Sequence, residues 1–348
     1  MIPPLPSKLS LARTPTPLRP LDRISEALGG PRIWLKCDDL TGSVVSGNKI
    51  RKLEFLMADA LNQGCDTVVT CGGLQSNHCR ATAAVSAQLG LQCHLILRGP
   101  RGLVEREEGY RLDEVISSAS EGNLLLDRLC GAEISVYSPR RYGTYLGEIF
   151  DEISAGYSGI GQSCYSIPTG GSNGVGLWGY IEAARELQTD FQAHGIAPGS
   201  VICASGSGGT QGGLTLGFHM LGAECEVLGM AVCDSAQYFE SKVTDDVDQW
   251  QSTFMPDHPN LSTQLSIHTN DAYIGPGYSI GYPALFESIR WLAKTEGVVL
   301  DPVYTGKAFY GLVEEIKKGT FANISDVVFV HTGGVFGVFP YKDEFDFD

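Results

Sequence analysis

Positive charge is scarce in this sequence: 25 Lys and Arg stand against 40 Asp and Glu over 348 residues, a formal net charge of -15. Binding a polyanion takes concentrated Lys and Arg, so this balance argues against nucleic acid and anionic membrane and points to a small-molecule partner. No apolar run approaches the roughly 18 residues a membrane span requires. The start, MIPPLPSKLSLARTPTPLRPLDRIS, carries prolines at positions 3, 4, 6, 15, 17 and 20 and has no continuous apolar centre. It fits neither a signal peptide nor an amphipathic transit sequence. The ten cysteines, spread from Cys37 to Cys233, include no CxxC pair and no Cys/His cluster with metal-ligand spacing. Reduced thiols, no metal and a cytoplasmic location are therefore expected. Internal repeats and low-complexity stretches are also missing.

What is present is an ordinary globular composition, 43% hydrophobic and 19% charged, on a chain long enough for two domains. Short apolar runs alternate with longer helical patterns. RIWLK (Arg32–Lys36), DTVVT (Asp66–Thr70), CHLILR (Cys93–Arg98) and EISVY (Glu133–Tyr137) read as strands, with helices near 49–61, 77–89 and 122–129 between them. The second half repeats the rhythm, with strands near 165, 202, 229 and 328 and helices near 176–188, 210–221 and 281–296. Such alternation predicts an α/β protein with open, mainly parallel sheets flanked by helices. The acidic piece KVTDDVDQW (Lys242–Trp250) lacks the glycine and distal glutamate of a calcium loop and reads as a solvated helix face.

Four glycine-rich segments follow predicted strands, where open α/β sheets place ligand-binding loops: TCGGLQSNHCR, IPTGGSNGVG, ASGSGGTQGG and HTGGVFG. In the third, Ser205, Gly206, Ser207, Gly208, Gly209 and Thr210 lead into a helix, so backbone N–H groups and a hydroxyl can converge on a phosphate. It lacks the Gly-Lys-Ser/Thr ending of a Walker A loop, and its third glycine falls one residue late for the dinucleotide fingerprint. That favours a phosphorylated cofactor over NAD. In SGNKIRKLEF, Lys49 and Lys52 share a face at a helix start, three residues apart. A lysine in a cleft can serve as a Schiff-base partner, a proton shuttle or a phosphate counter-ion.

Taken together, SGNKIRKLEF, GGLQSNHCR, IPTGGSN, SGSGGT, LDPVYTGKA and HTGG stand in the order and spacing of pyridoxal-phosphate enzymes of the tryptophan-synthase-β fold type. Within that group the chain resembles the branch of 1-aminocyclopropane-1-carboxylate deaminase and D-cysteine desulfhydrase, from about residue 15 to 341. The resemblance implies pyridoxal 5'-phosphate held covalently by Lys49, with Lys52 and the loop from Ser205 to Thr210 on its phosphate. Asn77 would meet the ring's 3-oxygen, Ser76 the substrate carboxylate or reacting carbon, and Tyr278 and Tyr304 would line the substrate site. It also implies a small domain over residues 48–162 inserted in a large one formed by 1–47 and 163–348, a small amino-acid substrate, and a homodimer. An acidic chain with exposed aromatics near FYGLVEE is compatible with the last of these.

Two threonines bear on the substrate. By the same resemblance, cyclopropane deaminases carry glutamate at the position of Thr305 and leucine at that of Thr332, whereas desulfhydrases carry small hydroxyl residues at both. A glutamate beside the pyridine nitrogen strengthens the electron sink needed to open a ring that lacks an α-hydrogen, and a neutral threonine gives a weaker sink that suffices for β-elimination. The expected reaction is conversion of D-cysteine to pyruvate, ammonia and hydrogen sulfide, with Lys49, Ser76 or a tyrosine as the base. The alternatives are a cyclopropane-carboxylate deaminase, an L-cysteate sulfo-lyase, a D-serine or β-chloro-D-alanine eliminase, and a non-catalytic binding protein. The HTGGVFGVF segment departs from the bacterial HTGGAPALF pattern, His78 and Cys79 have no assigned role, and Trp178 is larger than its counterparts, which suggests altered access or substrate size.

Overall fold

The computed structural model describes residues 2–116 and 120–347. In chain order its strands are β1 (Leu18–Pro20), β2 (Arg32–Lys36), β3 (Thr67–Gly73), β4 (Gln92–Arg98), β5 (Tyr110–Arg111), β6 (Glu133–Tyr137), β7 (Cys164–Ile167), β8 (Ser200–Ser205), β9 (Glu226–Ala231), β10 (His268–Asn270) and β11 (Asp326–Val330). The helices are α1 (Asp22–Leu28), α2 (Lys49–Asn62), α3 (Asn77–Leu89), α4 (Leu112–Val115), α5 (Gly122–Leu129), α6 (Pro139–Ser158), α7 (Gly174–His194), α8 (Gly209–Leu221), α9 (Ala236–Phe254), α10 (Pro283–Glu296) and α11 (Thr305–Lys317).

The strands form two sheets, one of six in the order β1-β2-β11-β8-β9-β10 and one of five in the order β5-β6-β4-β3-β7. Each is parallel except at one edge, where β1 runs antiparallel to β2 and β5 to β6. Parallel sheets covered on both faces need strands that are apolar on both sides, and β11 shows how. Val327 and Phe329 point into a core with Ile33, Leu35 and Ile202, while Val328 and Val330 point into a second core with Trp34, Val201 and Cys203. In the smaller sheet, Val68 packs toward α2 through Ile50 and Leu53, while Val69 and Ile96 pack toward α6 through Ile149. β7, which follows residue 162, pairs with β3 in this smaller sheet.

The predicted β2, β6, α3 and α5 have the observed bounds. α6 is not legible, because Gly143, Gly147 and Gly156 weaken its helical pattern; Pro139 at its first turn and the Ser138 hydroxyl, which accepts from the Arg141 N–H at 3.1 Å, set its start. α11 also escapes the sequence reading. Its cap comes from Asp301, whose carboxylate accepts from the N–H groups of Val303, Tyr304 and Thr305.

Two expectations are corrected. The KVTDDVDQW segment is not simply a solvated face: Val243, Asp246, Val247 and Trp250 are buried in α9, because Phe239, Val243, Val247 and Trp250 recur at helical spacing and pack onto Trp178 and Leu177. The FYGLVEE aromatics are not exposed, since Phe309 is fully buried against Phe329 and Tyr310 packs edge-on to Tyr273 and Tyr282.

Candidate active site

A cavity of about 280 Å³ opens at the carboxyl ends of strands from both sheets. Gly72 and Gly73 end β3, Arg98 ends β4, the 168–170 segment follows β7, the 206–208 segment follows β8, and Thr332 follows β11. Parallel strands leave their loops on one side, so the four glycine-rich segments meet there.

Lys49 stands at the start of α2 and lines this cavity. The preceding Gly47 has φ +107, and a Cβ there would come within 2.7 Å of the Thr332 carbonyl, which accepts from the Asn48 N–H at 3.1 Å. Only glycine lets the HTGG turn and the lysine-bearing turn approach so closely. Burial lowers the Lys49 amine to about 8, with Cys203 opposing that shift and Arg80 adding to it. Roughly a tenth is therefore the neutral nucleophile at pH 7, far more than for an ordinary lysine.

Behind Lys49 lies a concentration of positive charge. The fully buried Lys52 ammonium donates to the Gly170 carbonyl and to Ser172 Oγ, both at 3.1 Å. Burial lowers its pKa well below the ordinary lysine value, and Lys49 lowers it further. Ser172 Oγ also lies 2.9 Å from Ser207 Oγ and accepts from the Gly209 N–H at the start of α8. Lys242 joins from α9, donating to the Ser172 carbonyl at 3.2 Å and pairing with Asp246 at 2.5 Å. Three lysines thus gather around one helix start with one carboxylate. Gly170 keeps the space open: its φ is +66, and a Cβ would lie 2.2 Å from Ser207 Oγ and 3.7 Å from Lys49 Cε.

On the opposite wall Ser76 is the N-cap of α3, its hydroxyl accepting from the Cys79 N–H at 3.2 Å, and it also faces the cavity. Asn77 lies beside it, with Oδ1 accepting from Asn123 Nδ2 at 3.0 Å. His78 bonds Thr70 Oγ1 through Nε2 at 2.8 Å and leaves Nδ1 without a partner; burial, then Lys49 and Lys52, lower its pKa well below the usual range, so it is neutral. Tyr278 and Tyr304 face each other with their hydroxyls 2.5 Å apart. Burial pushes Tyr278 up to about 12 and Tyr304 well above its ordinary value, so both stay protonated.

Of the sequence-predicted residues, Lys49, Ser76, Asn77, Gly206, Ser207, Gly208, Thr210, Tyr278, Tyr304 and Thr332 line the cavity. Lys52 and Gly209 form its backing layer, where a Cβ on Gly209 would lie 2.7 Å from Lys52 Nζ. Ser205 and Thr305 do not reach the wall. Ser205 is buried at the end of β8, and the Thr305 hydroxyl is closed onto Asp301, donating to Oδ1 at 2.7 Å. Arg51 turns away to a buried fork on Asp38 and Glu186 at 2.8 and 2.9 Å. Trp178 is fully buried against Phe55 and Trp250 and does not border the cavity, which removes the reason to link it to substrate size. Sequence reasoning missed Arg98, Cys233 and Lys242. The first two are signalled by their positions at or just past strand ends, and the last by the apolar stripe of α9.

This set of groups fits a phosphorylated pyridine aldehyde. Buried Lys52 and the α8 start suit the phosphate, the partly neutral Lys49 amine suits the aldehyde, and Ser76 and the tyrosine pair remain for a substrate. The family model for "pyridoxal-phosphate dependent enzyme" matches residues 9–333. The bifunctional D-cysteine desulfhydrase/1-aminocyclopropane-1-carboxylate deaminase of Arabidopsis thaliana, a mitochondrial protein, is 38% identical over 98% of this chain and 82% of its own length. A D-cysteine desulfhydrase of Klebsiella pneumoniae is 39% identical over 96% of both chains, and a putative 1-aminocyclopropane-1-carboxylate deaminase of Thermotoga maritima is 40% identical over 95% of this chain and 97% of its own. Among solved structures, an ACC deaminase homologue superposes with a TM-score of 0.80 at 33% identity, covering 99% of this chain and 95% of that one.

Proposed function

Because this chain belongs to the pyridoxal-phosphate dependent enzymes, we propose that it eliminates hydrogen sulfide from D-cysteine, the remaining three-carbon enamine taking up water to give pyruvate and ammonia. The observation that carries the choice of substrate is the neutral Thr332 on the cavity wall, with Thr305 set back from it. Thr332 turns a neutral residue to the cavity, and Thr305 directs its hydroxyl to Asp301. A carboxylate at the latter position would favour cyclopropane opening.

When bound, the cofactor supplies an electron sink for the bond broken at the substrate α-carbon. The protein's part follows from the geometry. Lys52, Ser172, Ser207 and the α8 start would hold the phosphate, and the Asn77 amide N–H, its oxygen being occupied by Asn123, would serve the ring's 3-oxygen. Ser76 and the first turn of α3 receive the substrate carboxylate. Lys49, with its pKa near 8, alternates between amine and ammonium at the α-carbon and is the base. Tyr278 and Tyr304, held protonated, are donors for the departing sulfur rather than bases.

The test is sulfide and pyruvate release from cofactor-loaded protein given D-cysteine, L-cysteine, L-cysteate and 1-aminocyclopropane-1-carboxylate in parallel. Preferential turnover of D-cysteine supports the reading; preferential turnover of the cyclopropane substrate overturns it.

A further inference from the structure

Lys307 is fully buried in α11, one turn after Tyr304, and plays no part in the site described above. No carboxylate pairs with it among the described residues. Its ammonium instead donates to two backbone carbonyls, those of Ile274 and Gly277, each at 2.7 Å. Both belong to the irregular segment 271–282 that carries Tyr278.

This segment needs holding. Gly275 and Gly277 have φ of +69 and +140, and Ser279 has φ +60, a left-handed conformation unfavourable for a non-glycine residue. Tyr278 sits between two anchors. On one side Lys307 grips the Gly277 carbonyl, and on the other the Tyr341 hydroxyl donates to the Ser279 carbonyl at 2.8 Å and lies 2.5 Å from Ser279 Oγ. The geometry points to Lys307 as a positioning residue for Tyr278. Through its two carbonyl bonds it fixes the segment so that the Tyr278 hydroxyl meets Tyr304, and α11 thereby grips the substrate wall at two points one turn apart. This inference rests on the proposed role of the tyrosine pair.

The experiment combines Lys307→Met with Tyr278→Phe, alone and together, in the cofactor-loaded protein, with hydrogen–deuterium exchange as a readout independent of turnover. In Lys307→Met, exchange should rise selectively across 271–282 while cofactor affinity and absorbance stay at their wild-type values. Its kcat should fall by about 10- to 100-fold, the cost of a misplacement near 1 Å. The double variant should be no slower than Tyr278→Phe within about threefold, because a residue acting through Tyr278 has nothing left to act on. If Lys307→Met does not fold, Lys307→Gln, whose amide can keep one of the two carbonyl bonds, should move the same two readouts in the same direction by less, and no change in either overturns the clamp.

Unchanged exchange in 271–282 overturns the clamp. Multiplying kinetic losses in the double variant overturn the route through Tyr278. If the wild type turns over none of the four substrates, the substrate reading fails while the exchange comparison still decides whether Lys307 holds the segment.

Discussion

Replacing Lys52 by methionine removes the buried amine proposed to face the cofactor phosphate. Its ammonium is fully buried at the start of α8, 3.1 Å from Ser172 Oγ, with Lys242 and Asp246 as its nearest charged company beyond Lys49. A unit charge about 4 Å from its partner at an effective dielectric of 20 interacts by ~4 kcal/mol. Hydrogen bonds to charged groups, measured net of desolvation, are worth about 1.5–3 kcal/mol. With Lys242 and the helix start remaining, a loss of about 2–3 kcal/mol follows, or roughly 30- to 150-fold in cofactor Kd. The assay is equilibrium titration of the apoprotein with pyridoxal phosphate and, in parallel, with pyridoxal, followed by the absorbance of the lysine-bound ligand. Lys52→Met should lose affinity for the first and little for the second. An unchanged ratio of the two affinities in a folded variant would refute the assignment of Lys52 to the phosphate.

Lys49→Ala should abolish the visible absorbance and leave no lysine labelled after borohydride reduction, as read by peptide mass spectrometry. In the wild type, the rate of cofactor capture by the apoprotein should climb with pH as the amine loses its proton and level off above about 8. Glu186→Gln should cost about 3 kcal/mol in urea unfolding, because it breaks a buried ion pair. Burial raises the Glu186 carboxyl, but Arg51 and Lys36 outweigh that effect and hold it at about 2, below its ordinary 4.5. Its contribution is therefore present above pH 4.5 and fades toward pH 2, so the gap between variant and wild type should narrow on acidification. Trp178→Phe should leave the preference among the four substrates unchanged, since the ring lies in the core away from the cavity.

The parts of the site that are local in sequence were legible. Lys49 and Lys52 share a helix face, and each glycine-rich loop announces itself by composition and by the strand before it. The parts that depend on distant packing were not. Lys242 looks like one cation in an acidic stretch until α9 buries its apolar stripe and turns that residue toward Ser172. Arg98 reads only as the end of a strand, and its guanidinium stacks over Tyr278 at 4.8 Å through a contact 180 residues away. Thr305 matches a motif by position, yet its hydroxyl is committed to Asp301, a partnership that the four-residue spacing does not reveal. The fold was legible for the same reason as the lysines: β-rich apolar runs and helical periodicity are local, whereas α6 was hidden by its glycines.

The Arg51 fork has a mechanical consequence. α2 packs on the smaller sheet through Ile50 and Leu53, yet two residues from Lys49 its Arg51 is bound to Asp38, just after β2, and to Glu186 on α7. The lysine end of that helix is thus tied to the larger sheet. Motion of the smaller sheet would therefore pull against this fork, so the position of Lys49 is set by both sheets rather than by the packing of its own helix alone.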